Sequence, residues 1–270
     1  MDKRIMGDTD STTGHGRVKT GTTRLSSLVK RASSLAEQGM YDEAIANIKE
    51  AIALCPGDPK FSIQLANIYR AQNRIGPAIE AMRAAIELNP KDGDLQQQLL
   101  RTLLEMGRYD EAIAISNRLL ESHPRNLIAR DILGIAYLQQ GRLDSALKVT
   151  DELIHLAPTD AAHHFKKAVL LQQKGEIARA MSSFLLALEM EPDGGLADDA
   201  REAIAALDSY QLKQILTLAV EDAIFRTKLA LDPESALVQR GFRLSAAGIS
   251  TLRQLDIGNL PGDPQGRYYH

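Results

Sequence analysis

His163 and His164 stand side by side and are the residues of this chain that come nearest to a metal or proton-transfer site. Neighbours on a helix point about 100° apart, whereas a helical metal site presents its ligands at i and i+4. No cysteine or further histidine stands at a ligand spacing from the pair, so no metal is expected. Cys55 is the single cysteine; it directly precedes Pro56 and reads as a structural thiol, not a nucleophile. His15, His123 and His155 lie in unrelated contexts. The chain has no GxxxxGK[ST] loop and no GxGxxG after a strand, and its carboxylates fall on the polar faces of amphipathic helices. The expectation is a protein without a cofactor and without catalysis.

The elements that position these residues follow one spacing. Pro56, Pro90, Pro124, Pro158 and Pro192 recur every 34 residues, each at the end of an apolar, helix-like run. Counting back from them gives five blocks: 25–58, 59–92, 93–126, 127–160 and 161–194. A period of this length is the signature of a repeat array whose unit is a helical hairpin, which cannot bury its apolar face alone. The twentieth position is always alanine (Ala44, Ala78, Ala112, Ala146, Ala180), and the eighth reads Ala32, Ala66, Leu100, Gly134, Ala168. Small residues there let two helices cross closely. The fifteenth position, Gly39, Asn73, Gly107, Gly141 and Gly175, tolerates the left-handed backbone that closes a helix. Asp58, Asp92, Asn126 and Asp160 end their blocks as N-caps for the next helix, and Pro59 suits a first turn.

These residues resemble the tetratricopeptide repeat (TPR) family, with its small residue at eight, Tyr or Leu at eleven, Ala at twenty and Pro at thirty-two. The departures are Leu100 at a small position, Ser116 and Thr150 at an apolar one, and Leu119 and Leu153 at a second alanine position. They point to local repacking. The resemblance implies an all-α fold, a right-handed superhelical solenoid of hairpins whose first helices line a concave groove. It also implies a protein–protein interaction scaffold or adaptor that takes a peptide or partner helix in that groove. Groove-facing register selects Asn67, Arg70, Gln97, Arg101, Asp131 and Gln139 as the binding residues. Family members that dock the C-terminal carboxylate of Hsp70 or Hsp90 use Lys and Asn where this chain has Val29 and Ser33, so that clamp is not expected here.

Around the array the reading is coarser. Residues 1–24 show no periodicity and are expected as a disordered tail, with a basic bias from Arg17, Lys19 and Arg24. Residues 195–208 carry an amphipathic stripe that suits a capping helix. Residues 209–256 are expected as a C-terminal helical extension, with a helix beginning at Asp208 or Ser209, a restart at Asp232-Pro233-Glu234, a stop at Gly241 and a cap at Ser245. Residues 257–270 are expected as an irregular tail. Phe225–Ser245 resembles small helical segments in leader regions of ribosomally made peptide precursors and in LigA-type dioxygenase subunits, which suggests a module that recruits or regulates a modifying enzyme as the alternative function. Ala247–Leu252 is similar to half of a helix-hairpin-helix unit, but no second half follows. Gly248 within a helix costs about 1 kcal/mol against alanine, which points to a close neighbour.

A net charge of −3 argues against a nucleic-acid partner. No apolar run approaches the length of a membrane span or a secretion signal, so the expectation is a cytoplasmic protein with no membrane partner. Self-association through the broad apolar face of 212–229 stays open.

Overall fold

A computed structural model describes residues 14–260. All regular elements among them are helices, and the chain divides into two compact units, Met1–Arg108 and Tyr109–His270. The division falls inside the third block, between its two helices.

The first unit holds α1 (Gly14–Glu37), α2 (Tyr41–Leu54), α3 (Pro59–Ala71), α4 (Ile75–Leu88) and α5 (Gly93–Glu105). Helix α1 packs on α2, α2 on α3, α3 on α4 and α4 on α5. It begins at Gly14, inside the stretch expected as a tail; residues 1–13 lie outside the described residues. The second unit holds α6 (Tyr109–Ser122), α7 (Leu127–Gln139), α8 (Leu143–Leu156), α9 (Ala161–Gln173) and α10 (Ile177–Met190), followed by α11 (Ala197–Glu221).

Each hairpin closes where the register places it. Gly39, Asn73, Gly107, Gly141 and Gly175 all take positive φ, between 59° and 81°. Past each of them an N–H returns to the last turn of the first helix, as from Arg74 to the Tyr69 carbonyl (2.8 Å) and from Glu176 to Leu171 (2.9 Å). These are the paired bonds of a left-handed helix stop. First helices are capped by side chains: Asp92 accepts from Leu95 N–H (3.0 Å), Asn126 from Ala129 (2.9 Å) and Asp160 from Ala162 (2.9 Å). Second helices have no side-chain cap at Met40, Arg74, Arg142 or Glu176, because the turn itself starts them.

The alanines at position twenty and Ala32, Ala66 and Ala168 at position eight have no exposed surface. At Gly134 a Cβ would come within 3.4 Å of Val149 Cγ1, so there the helices approach more closely still. Of the departures, Thr150 satisfies its buried hydroxyl on the Ala146 carbonyl (2.9 Å), while Ser116 leaves its buried hydroxyl without a partner. Successive repeats are also joined by a polar pair absent from the sequence reading. Position fourteen reaches position eighteen of the preceding block: Gln72 to Asp42 (3.2 Å), Gln140 to Asp110 (2.8 Å) and Lys174 to Asp144 (2.7 Å).

Helix α11 runs unbroken through the expected boundary between a capping helix and an extension. Its first half adds Ile204 and Leu207 to the core of the last hairpin, beside Leu171, Met181 and Phe184. Its second half adds Ile215 and Ala219 to a separate small core with Phe225, Leu229, Leu237 and Leu252. That core is completed by α12 (Ala223–Leu231), α13 (Pro233–Gln239), α14 (Ala246–Gln254) and a 3-10 turn at Ile257–Asn259. Residues 261–270 of the expected tail lie outside the described residues.

Asp208 does not cap a helix start, because its carboxylate is buried and accepts from Ser245 N–H (2.9 Å) and from the Ser245 hydroxyl. One turn on, Gln211 is 1% exposed; its amide donates to the Arg243 carbonyl (2.7 Å) and accepts from Arg243 N–H (2.9 Å). The long helix ends instead at Asp222, whose side chain caps α12 through Phe225 N–H (2.9 Å). Asp232 caps α13 and Ser245 caps α14 as expected.

Gly248 is the close neighbour that its position in a helix implies: a Cβ there would lie 2.5 Å from Asp208 Oδ1. Gly248→Ala is therefore expected to lower unfolding stability by about 1–3 kcal/mol, read from chemical denaturation. Gly57→Ala, where nothing lies within 4 Å, serves as the control that leaves the midpoint in place. At the Gly141 turn, with φ of 71°, alanine is expected to cost about 1–2 kcal/mol for the left-handed backbone alone.

Candidate partner-binding surface

On α5 the buried face is Leu95, Leu99, Leu100, Thr102 and Leu103, so helical periodicity turns Asp94, Gln97 and Arg101 away from the core. On α3 the same logic buries Leu65, Ala66, Ile68 and Tyr69 and leaves Asn67 exposed. Ile63 of α3 and the outward residues of α5 line a cavity of about 480 Å³, whose polar groups include Asp94, Gln97, Gln98 and Arg101. The structure thus brings together Gln97 and Arg101. The side chains of Asn67, Asp94, Gln97 and Arg101 make no hydrogen bond or ion pair with another described residue. Arg70 is half-buried, with its guanidinium 4.0 Å from Glu105.

Of the expected groove residues, Asp131 and Gln139 belong to the second unit. Asp131 is ion-paired with Lys166 of α9, a residue the register left off the groove. Gln139 is exposed at the end of α7. Phe165 and Val169 of α9 pack against the core, Phe165 edge-on to Phe184 with ring centroids 5.3 Å apart.

The second unit has a larger concavity, about 650 Å³, along one side of α8. Most of its charges are matched within the fold, Arg130 Nε to Glu152 (3.0 Å), Lys167 to Asp151 (2.7 Å) and Lys174 to Asp144 (2.7 Å), whereas exposed Lys148 pairs with no other described residue and Arg130 Nη1 is buried without a partner. Bonds to Asp144 and then Glu176 raise the Lys174 ammonium above its ordinary value, and Lys174 followed by Arg179 lowers the Glu176 carboxyl. The carboxylates of this surface, Asp144, Asp151 and Glu152, are thus all engaged within the fold, which leaves it without a free acidic group. The adjacent histidines have separate neighbours: His164 Nε2 lies 3.0 Å from the Pro158 carbonyl and His163 Nε2 3.4 Å from Asp160.

In the C-terminal bundle, Ile224, Leu231 and Val238 are 72%, 81% and 75% exposed, the most open large apolar side chains among the described residues. No helix of the described residues is long and apolar enough to cross a membrane.

Two family models, each described as "Tetratricopeptide repeat", match this sequence, one at 35–101 and the other at 98–161 and again at 134–195. Among solved structures, "MamA 41-end from Desulfovibrio magneticus RS-1" is 17% identical and superposes with a TM-score of 0.51 over 64% of this chain and 97% of that one. "Crystal structure of MamA protein" is 20% identical, with a TM-score of 0.52 over 63% of this chain and 92% of that one. At such identities the likeness is one of fold. No curated protein matches the sequence.

The Lys174–Glu176 pair gives a pH signature. Glu176, with its folded value depressed, contributes stability above the ordinary carboxylate range and loses it as pH falls through the folded value. Lys174, with its folded value raised, contributes below its ordinary value and loses it as pH rises through the folded one. Glu176→Gln is expected to unfold slightly earlier than the wild type at neutral pH, with the gap closing in acid. Lys174 is exposed and Glu176 only half-buried, so water screens the pair and the gap is small; denaturant midpoints across pH measure it.

Proposed function

The chain belongs to the tetratricopeptide repeat family, and from that premise we propose that it works as a protein–protein interaction scaffold that takes a peptide or a partner's helix on the exposed faces of its first helices. The observation that carries this reading is the pair of outward polar side chains Gln97 and Arg101, which no other described residue satisfies and which line a cavity beside apolar Ile63, with Asn67 likewise unpartnered on the exposed face of α3. They project from helices, so the backbone that carries the donors and acceptors is rigid and only the side chains are ordered when a partner binds. In the second unit Gln139 is exposed, with an amide that no other described residue satisfies, whereas Asp131 acts with Lys166 as a neutral pair.

A second reading places recruitment, including that of a modifying enzyme, on the C-terminal bundle. It rests on exposed Ile224, Leu231 and Val238.

Affinity capture from a native lysate separates the two. The intact chain is compared with Asn67→Ala/Gln97→Ala/Arg101→Ala and with Ile224→Asp/Leu231→Asp, all exposed or half-exposed positions whose replacement leaves the cores alone. A partner captured by the intact chain and lost from the triple variant supports the first reading. A partner kept by the triple variant and lost from the double one sinks it in favour of the second.

A further inference from the structure

Resting on the scaffold reading, we infer that the cavity between α3 and α5 selects an extended peptide carrying one basic and one acidic residue three positions apart. Two charges of opposite sign that pair with no other described residue stand on the open face of α5, Asp94 near its start and Arg101 near its end. The other carboxylate at this cavity, Asp92, is occupied as the cap of Leu95 N–H (3.0 Å). Beyond Arg101 the next charge on α5, Glu105, faces Arg70 at 4.0 Å, so the free pair has a defined limit.

The spacing sets the register of the ligand. Asp94 and Arg101 are seven residues apart, about 10.5 Å of helix rise. An extended polyproline-type chain repeats its face every three residues, about 9.3 Å, so residues i and i+3 meet both charges from one side. A regular β-strand repeats its face every two residues, at about 6.6 or 13 Å, and misses one of them. A partner helix would match at i and i+7, but its backbone groups are satisfied within itself and would leave Gln97 and Gln98 without main-chain partners. Between the charges, Gln97 and Gln98 supply amides that can pair with the backbone of an extended chain, and Ile63 forms an apolar wall for one intervening side chain.

The test is selection of a displayed random-peptide library on the full chain and on the charge-reversed variant Asp94→Arg/Arg101→Asp, both exposed positions. The wild type is expected to enrich a basic and an acidic residue three apart in one order, and the variant the opposite order. A peptide from the wild-type selection is expected to bind the variant at least about tenfold more weakly, with the gap shrinking in high salt. A consensus without the charge pair, with a spacing other than three, or with an order unmoved by the reversal overturns the inference while leaving the scaffold reading intact. Peptides that bind Asn67→Ala/Gln97→Ala/Arg101→Ala as well as the wild type, or no enrichment on either protein, overturn both.

Discussion

The close crossing of two helices at one alanine per repeat is the constraint on which the rest of the array depends. Within the two units Ala44, Ala78, Ala146 and Ala180 are fully buried at such crossings, and anything larger at that position would push the pair apart. The crossing holds its angle only if the chain reverses within a few residues, which the left-handed residue at position fifteen secures. With reversal and crossing set, the large side chain two residues past the turn can only plug the end of the hairpin. Tyr41, Ile75, Tyr109, Leu143 and Ile177 are accordingly all half-buried. Outward faces are then whatever remains, and the candidate surface is one of them.

Much of this was legible because it is local. A turn glycine, a capping aspartate and a buried alanine act on residues within the same or the adjoining helix, so a fixed register carries them without knowledge of tertiary structure. The polar pair between successive repeats was legible in principle too, since Gln or Lys at fourteen and Asp at eighteen recur on the same period. It escapes a reading that weighs each block separately, because the two ends lie about thirty residues apart. Where block three has Met106 at fourteen and block two has Gly76 at eighteen, no such pair exists to be formed.

The C-terminal region shows the opposite case. Asp208 looks like a cap because aspartate before a helix usually is one. Here its partner is Ser245, 37 residues on, and no local rule connects them. The same carboxylate explains why α11 does not stop: with Asp208 and Gln211 both engaged by the Arg243–Ser245 segment, the helix has no competing local bond at that point and continues until Asp222. Gly248 was the one visible trace of this contact. An unfavourable residue inside a helix implied a neighbour, but not which one.

Position on a groove and availability for a partner are therefore separate properties, and only the first is written in the register. Asp131 and Arg101 both stand on outward faces of first helices. Asp131 is neutralised by Lys166 from the next repeat, whereas Arg101 has no counter-ion among the described residues. A charge already paired within the fold gives a ligand little, because the ligand must replace an existing partner before it gains anything. A free charge at a cavity edge has only its water to lose. By that criterion Asp94 and Arg101 are the charges of α5 that a ligand can reach without displacing a partner among the described residues, and Asp131 in the second unit is a closed pair.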